Sequence, residues 1–231
     1  MKCINTVGDI DCQHCQGPTI KFGRRGVIQR YRCKNCKKLQ LKNYEKQAWK
    51  ANINAEIATH VKEGCGIRGI SRLLQISATT VISRIQKIAE NIKKPAIPTG
   101  RTYEVDELKT YIKTKTSECW VIYALDRESG QVVDFKAGSR NKKNLKRVTE
   151  TLLLAGCKQI CTDRLDIYRF VIPEKIHRVK RYGTNRIERK NLSLRTHLKP
   201  LGRKTICFSK TLLMLEACLR IYFWYKEAAG C

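Results

Sequence analysis

Acidic residues are scarce in this chain: 20 Asp and Glu stand against 47 Lys and Arg, for a formal net charge of +27 and a pI near 9.9. Ordinary surfaces intersperse both signs, so an excess of this size points to a polyanionic partner, with nucleic acid first. Long apolar runs are also missing. The nearest, Ser209 to Ala228, is broken by Glu216, Arg220 and Lys226, so it reads as a buried helix of a soluble fold and not as a membrane span. The opening MKCINTVGDIDC has no apolar h-region, which argues against a secretory signal. Without export, the 12 cysteines are expected as metal ligands and reduced thiols, not as a disulfide framework. Internal repeats and low-complexity segments are absent as well.

At 231 residues the chain exceeds one typical domain, and its texture changes three times. Cysteine, glycine and basic residues crowd residues 1–45. Helical apolar periodicity fills 46–92. A linker at 93–100, opening Lys-Lys-Pro-Ala-Ile-Pro, precedes short β-branched and aromatic runs in 101–231. Strands are expected at Thr102–Leu108, Cys119–Leu125, Gln131–Lys136, Lys158–Thr162 and Ile176–Lys180, with helices at Asn141–Ala155, Arg186–Leu198 and Ser209–Ala228. Three consecutive strands followed by a helical crossover predict a mixed sheet flanked by helices, an α+β architecture with the element order of the RNase H-like fold. Residues 1–100 carry +13 and 101–231 carry +14, so both halves face the polyanion.

Cys12-x2-Cys15 and Cys33-x2-Cys36 stand 17 residues apart, the spacing of a four-cysteine zinc ribbon. Four thiolates close a tetrahedral shell, so this zinc would be structural and hold the fold without an open position for chemistry. Between the pairs, Thr19–Gly23 and Val27–Arg32 read as a hairpin around Arg24-Arg25-Gly26. Arg24, Arg25, Arg30 and Arg32 suit phosphate contact there.

Ile67, Ile70, Leu73 and Leu74 mark one apolar face, and Val81, Ile82, Ile85 and Ile88 mark another. Gln75-Ile76-Ser77 separates them, with Ser77 a candidate N-cap, and a helix over Asn54–Lys62 supplies a third wall. This is a helix-turn-helix pattern. Thr79, Thr80, Ser83, Arg84 and Lys87 form the polar and basic face that would enter a major groove.

Acids also sit where sheets place chemistry. Along Tyr103-Glu104-Val105-Asp106-Glu107-Leu108, alternation puts Glu104 and Asp106 on one face and Glu107 on the other. Asp163 follows a strand at its C-terminal end, with Asp166 close behind, and Glu188 opens a helix on whose stripe Asn191 and Arg195 follow. Convergent carboxylates in a basic chain need a cation between them, which points to magnesium or manganese and to in-line phosphoryl transfer. Periodicity leaves Glu104 and Asp106 equivalent, and Asp163 and Asp166 likewise.

Three stretches resemble the insertion-sequence-1-type transposases of bacterial mobile elements. They are Arg30-Tyr31-Arg32-Cys33-Lys34-Asn35-Cys36, Glu63-Gly64-Cys65-Gly66-Ile67-Arg68-Gly69-Ile70-Ser71-Arg72-Leu73-Leu74, and the block Asn185-Arg186-Ile187-Glu188-Arg189-Lys190-Asn191-Leu192 continuing to Arg203-Lys204-Thr205-Ile206-Cys207-Phe208-Ser209. The resemblance implies that Asp106, Asp163 and Glu188 are the three metal-holding acids of a DDE enzyme, with Asn191 and Arg195 beside them. It further implies an RNase H-like catalytic domain, magnesium dependence, and water or a DNA 3' hydroxyl as successive nucleophiles. The expected partners are the element's terminal repeats and target duplex DNA, no membrane, and a second copy, since two ends must meet. The expected location is the bacterial cytoplasm, at the nucleoid. Another reading keeps the zinc ribbon and helix-turn-helix as a DNA-binding regulator on an inactive transposase-like domain. An RNA-processing nuclease would share the fold but has no need of the helix-turn-helix.

Overall fold

The computed structural model describes residues 7–41, 47–179 and 183–226. The chain divides into two compact units, residues 1–50 and 51–231.

The first unit is a four-stranded antiparallel sheet of β1 (Val7–Asp11), β2 (Pro18–Arg25), β3 (Ile28–Cys33) and β4 (Leu39–Leu41), in sequential order. The expected hairpin is β2–β3, closed by Gly26 and Val27, with Gly26 at φ +61° supplying the left-handed residue of a two-residue turn. β1 and β4 were not expected from sequence. Buried Gln40 ties them together: its side-chain oxygen accepts the Gln13 N–H at 2.8 Å and its amide donates to the Asp11 carbonyl at 2.7 Å.

The second unit begins with three helices, α1 (Ile53–Lys62), α2 (Ile67–Leu74) and α3 (Ala78–Asn91). Ile57, Val61, Ile70, Ile76, Val81 and Ile85 form their common core. Ser77 caps α3 by accepting the Thr80 N–H at 3.0 Å. Gln75 turns the chain at φ +53°. Leu73, expected on the apolar face, is 61% exposed: α2 is only two turns long and its inner stripe is filled by Ile70.

The remaining strands are β5 (Thr102–Tyr111), β6 (Glu118–Asp126), β7 (Val132–Gly138), β8 (Gln159–Cys161) and β9 (His177–Arg178). They form a mixed sheet in the order β7-β6-β5-β8-β9, antiparallel from β7 to β5 and parallel from β5 to β9. The meander and later parallel strand agree with the sequence, although β8 and β9 are shorter than expected and Lys180 lies outside the described residues. Alternation sorts the two cores. Val121, Tyr123 and Leu125 of β6 face α5 (Asn185–His197) and α6 (Leu212–Trp224) through Ile187, Leu194, Leu215 and Leu219. Ile122 and Ala124 face α4 (Lys142–Leu154) through Leu145, Val148 and Leu152. Asn141 and Thr211 cap α4 and α6, accepting N–H groups three residues on at 2.9 and 3.2 Å.

α6 is apolar nearly all round, as a helix buried on more than one side must be. It packs on β7 as well as on α1 and α3. The charges that interrupt it are occupied: Glu216 pairs with Lys136 at 2.8 Å and Arg220 donates to the Ile92 carbonyl at 3.3 Å. No helix among the described residues is long and apolar enough to cross a membrane.

Candidate active site and nucleic-acid interface

The cysteine pairs converge. Cys12 and Cys36 Sγ lie 3.5 Å apart and Cys15 and Cys33 Sγ 3.4 Å apart, with all four within 4.8 Å of one another. Thiolates bound to zinc at about 2.3 Å in a tetrahedron stand about 3.8 Å apart, so the set fits that ion. Each turn also aims a backbone N–H at sulfur, His14 to Cys12 at 3.4 Å and Asn35 to Cys33 at 3.3 Å. Burial opposes ionisation of Cys33, yet the N–H groups of Cys36 and Asn35 outweigh it and bring the thiol down to about 6. On the hairpin Arg24 and Arg25 are exposed, Arg30 is half-buried, and Arg32 lies over the Phe22 ring at 5.3 Å.

On α3, Thr79, Ser83 and Lys87 are exposed, while Thr80 and Arg84 are half-buried. Arg84 and Lys87 turn into a groove of about 900 Å³ that Lys93, Trp224, Tyr225 and Lys226 also line. Arg84 donates to the Asn54 side chain at 3.4 Å.

The acids gather at the middle of β5. β8 pairs only with Thr102–Glu104, so this edge of β5 opens just before Asp106. Because Glu104 pairs with Cys161, continuing the same register by two residues brings Asp163 alongside Asp106. Oxygens of Asp106, Glu107 and Asp163 lie within 4.8 Å of one another. Glu188 stands outside that triplet but lines the same cavity of about 740 Å³, with Asp106, Glu107, Asn191, Arg195 and Arg203. Asp106 is held by the Asn191 amide at 2.6 Å and the Glu107 N–H at 2.8 Å. Asn191 in turn accepts the Tyr123 hydroxyl at 2.8 Å. Arg195 donates to the Leu201 carbonyl at 3.1 Å. Glu188 accepts from Thr184 at 2.9 Å and sits in the first turn of α5, where the helix dipole favours a carboxylate. Asp166 points away, 81% exposed, toward Arg169 at 3.9 Å.

Glu107 was not singled out by sequence, because alternation sends it to the other face. There it pairs with Arg140 at 3.2 Å, and Arg140 stacks over Trp120 at 4.6 Å. Its Oε1 is buried without a hydrogen bond, and the buried Tyr168 hydroxyl faces the same carboxylate without meeting hydrogen-bond geometry. An orphaned carboxylate oxygen next to two further acids is what a divalent cation would satisfy, so the residues fit magnesium or manganese. Burial raises the Asp106 carboxyl above the usual range, with the Asp163 and Glu188 charges adding to it, and raises Glu107 likewise. Glu104 also titrates high through burial. Its neighbours are different: Oε2 accepts the Ile187 N–H at 2.8 Å, and Oε1 lies 3.4 Å from Arg127 Nε.

Residues 101–227 match the family model described as IS1 transposase. The protein InsB of insertion element IS1 from Shigella flexneri is 37% identical over 124 residues, 54% of this chain and 95% of that protein. InsB of the IS1 4 element from Escherichia coli K12 is 37% identical over 54% of this chain and 74% of its own length. InsB of iso-IS1n from Shigella dysenteriae is 32% identical over 49% and 86%. Among solved structures, a chain in the cryoEM structure of the simian T-cell lymphotropic virus intasome in complex with PP2A regulatory subunit B56 gamma aligns over 61% of this chain and 59% of its own. That alignment has 16% identity and a TM-score of 0.34, too slight a likeness to carry an argument.

Proposed function

We propose, from the premise that the chain belongs to the IS1 transposase family, that it binds the ends of an insertion sequence, cleaves them by metal-assisted hydrolysis and transfers the 3' hydroxyl to target DNA. The observation that carries this reading is the acid cluster. Asp106, Asp163 and Glu107, the last with an orphaned oxygen, meet beside a cavity lined by Asp106, Glu107, Glu188, Arg195 and Arg203. In this reading the sheet and its helices are an RNase H-like DDE domain. Asp106, Asp163 and Glu188 are the ligands of the catalytic ions, and Glu107 is an added contributor.

When bound, magnesium or manganese supplies activation of the attacking oxygen and charge stabilisation at the leaving oxygen. The chain's own residues supply the rest. Asn191 fixes one Asp106 oxygen, so that carboxylate meets its ligand already oriented. Arg195 and Arg203 give the cavity wall a positive charge for the scissile phosphate. In the first reaction the water oxygen bonds to phosphorus as the bond to the 3' oxygen breaks, leaving a 3' hydroxyl. In the second that hydroxyl attacks a target phosphate and releases another 3' oxygen. One phosphoester bond is exchanged for another, so no external energy source is required.

The four cysteines would hold a structural zinc. Arg24, Arg25, Arg30 and Arg32 of the hairpin, and Thr79, Thr80, Ser83, Arg84 and Lys87 of α3, would read and grip duplex DNA. Two copies would bring the two ends together, in the bacterial cytoplasm at the nucleoid. Purified protein incubated with DNA carrying its element's ends tests the proposal. Magnesium-dependent nicking at the ends is expected, whereas end binding without any nicking would leave a DNA-binding regulator with an inactive catalytic domain.

A further inference from the structure

Helix α5 presents Glu188, Asn191 and Arg195 to the cavity, yet its own N-terminus has no local cap. Thr184, at the N-cap position, accepts the Glu188 N–H on its carbonyl at 3.0 Å, but its hydroxyl donates to the Glu188 carboxylate and accepts no backbone N–H. Ile187 is the buried residue of that turn, and an N–H left there without an acceptor is costly. Here the acceptor comes from the sheet: Glu104, 83 residues earlier and 0% exposed, takes the Ile187 N–H at 2.8 Å. Arg127 balances the other oxygen at 3.4 Å, and its carbonyl accepts from the Arg186 guanidinium. The Tyr123 hydroxyl completes the clasp, contacting the Ile187 carbonyl at 3.2 Å and Asn191 at 2.8 Å.

Glu104 lies on the same face of β5 as Asp106, two residues before it. It belongs neither to the acid triplet nor to the lining of the cavity. One strand therefore carries an acid of the site and, one side-chain step away, grips the residue next to Glu188.

We infer that Glu104 is a positioning residue, a cap supplied across the core that fixes the first turn of α5 and so sets where Glu188 stands relative to Asp106 and Asp163. This rests on the proposed function for its consequence but not for its geometry. A shorter side chain leaves the Ile187 N–H without an acceptor and lets the first turn fray. Glutamine keeps an acceptor oxygen in place while removing the charge, so the cap survives.

The test compares Glu104→Ala and Glu104→Gln in the full-length, zinc-loaded protein. Amide hydrogen exchange at Ile187, manganese affinity by calorimetry, and end cleavage are measured. Glu104→Ala should speed Ile187 exchange at least about tenfold and weaken both manganese affinity and cleavage about 10- to 100-fold, the scale of lost support behind a metal site. Glu104→Gln should restore all three to within a few-fold of the parent. Slow exchange at Ile187 together with lost cleavage in Glu104→Gln would overturn the inference in favour of direct participation of the carboxylate. Unchanged exchange in Glu104→Ala would overturn it outright. Should Glu104→Ala not fold, the glutamine variant alone decides. If the parent neither cleaves DNA nor binds manganese, the proposed function fails, while Ile187 exchange still judges the cap.

Discussion

The two clusters that could hold cations are built in opposite ways. The cysteine cluster takes its four ligands from two tight turns of one small sheet, and each turn supplies both sulfurs and the N–H groups that stabilise them. The carboxylate cluster takes its members from β5, from the end of β8 and from α5, and Glu188 reaches the cavity without joining the triplet. The first completes its shell with four sulfurs, of which Cys12 and Cys33 are buried and Cys15 is exposed, while the second sets half-buried Asp106 and Glu107 beside exposed Asp163 and Glu188. A closed local shell stabilises a fold. An open shell assembled from distant elements leaves room for a substrate and depends on everything that holds those elements in place.

Four experiments press on this contrast. Cys33→Ser should strip zinc from the first unit and unfold it, since structural zinc contributes about 10–16 kcal/mol in small domains. Zinc content and circular dichroism of residues 1–50 would show this, while the melting of the second unit stays put; co-operative loss of both units would break the contrast. Asp106→Ala should lower end cleavage by about 10³-fold or more, as loss of a metal ligand worth several kcal/mol requires, with end binding unchanged. Undiminished cleavage would remove Asp106 from the site.

A smaller effect comes from the raised Asp106 carboxyl. A carboxyl that titrates higher in the folded state than in the unfolded one destabilises the metal-free fold at neutral pH, and that penalty is lost as pH falls through its raised folded value to its unfolded one. In chelator at pH 7, Asp106→Asn should therefore melt above the parent. The gain should shrink toward pH 4. Comparing variant with parent cancels His177, whose lowered value works in the other direction by losing stability as pH drops. The smallest effect is expected at Lys87→Ala, which should weaken DNA binding and reduce the slope of log K against log salt by about 1 if the side chain neutralises one phosphate.

What the sequence reveals follows the same division. Cys-x2-Cys spacing, the Ser77 cap and the meander are local, so pattern reading places them near where they are. Glu107 was invisible because period-2 reasoning describes the faces of a sheet and not its edges. Where β8 stops, side chains from both faces of β5 wrap around the open edge toward Asp163. Glu104 and Asp106 looked interchangeable for a related reason. What separates them is a helix terminus 83 residues away, which no window of sequence contains. Leu73 misled by its chemistry alone, since two turns of helix have only one inward row to fill.

α6 is packed against α1 and α3 and also against β7, and Lys94 of the linker pairs with Asp134 of that same strand. Such a helix works as a keel. Whatever α3 holds stands at a set span from the acids, measured by α6 and not by the length of residues 93–100. Lengthening that stretch would add only a few tenths of a kcal/mol of loop entropy. The span itself would stay as it is, so under the proposed function a cut would fall at a constant count of base pairs from whatever bases α3 contacts.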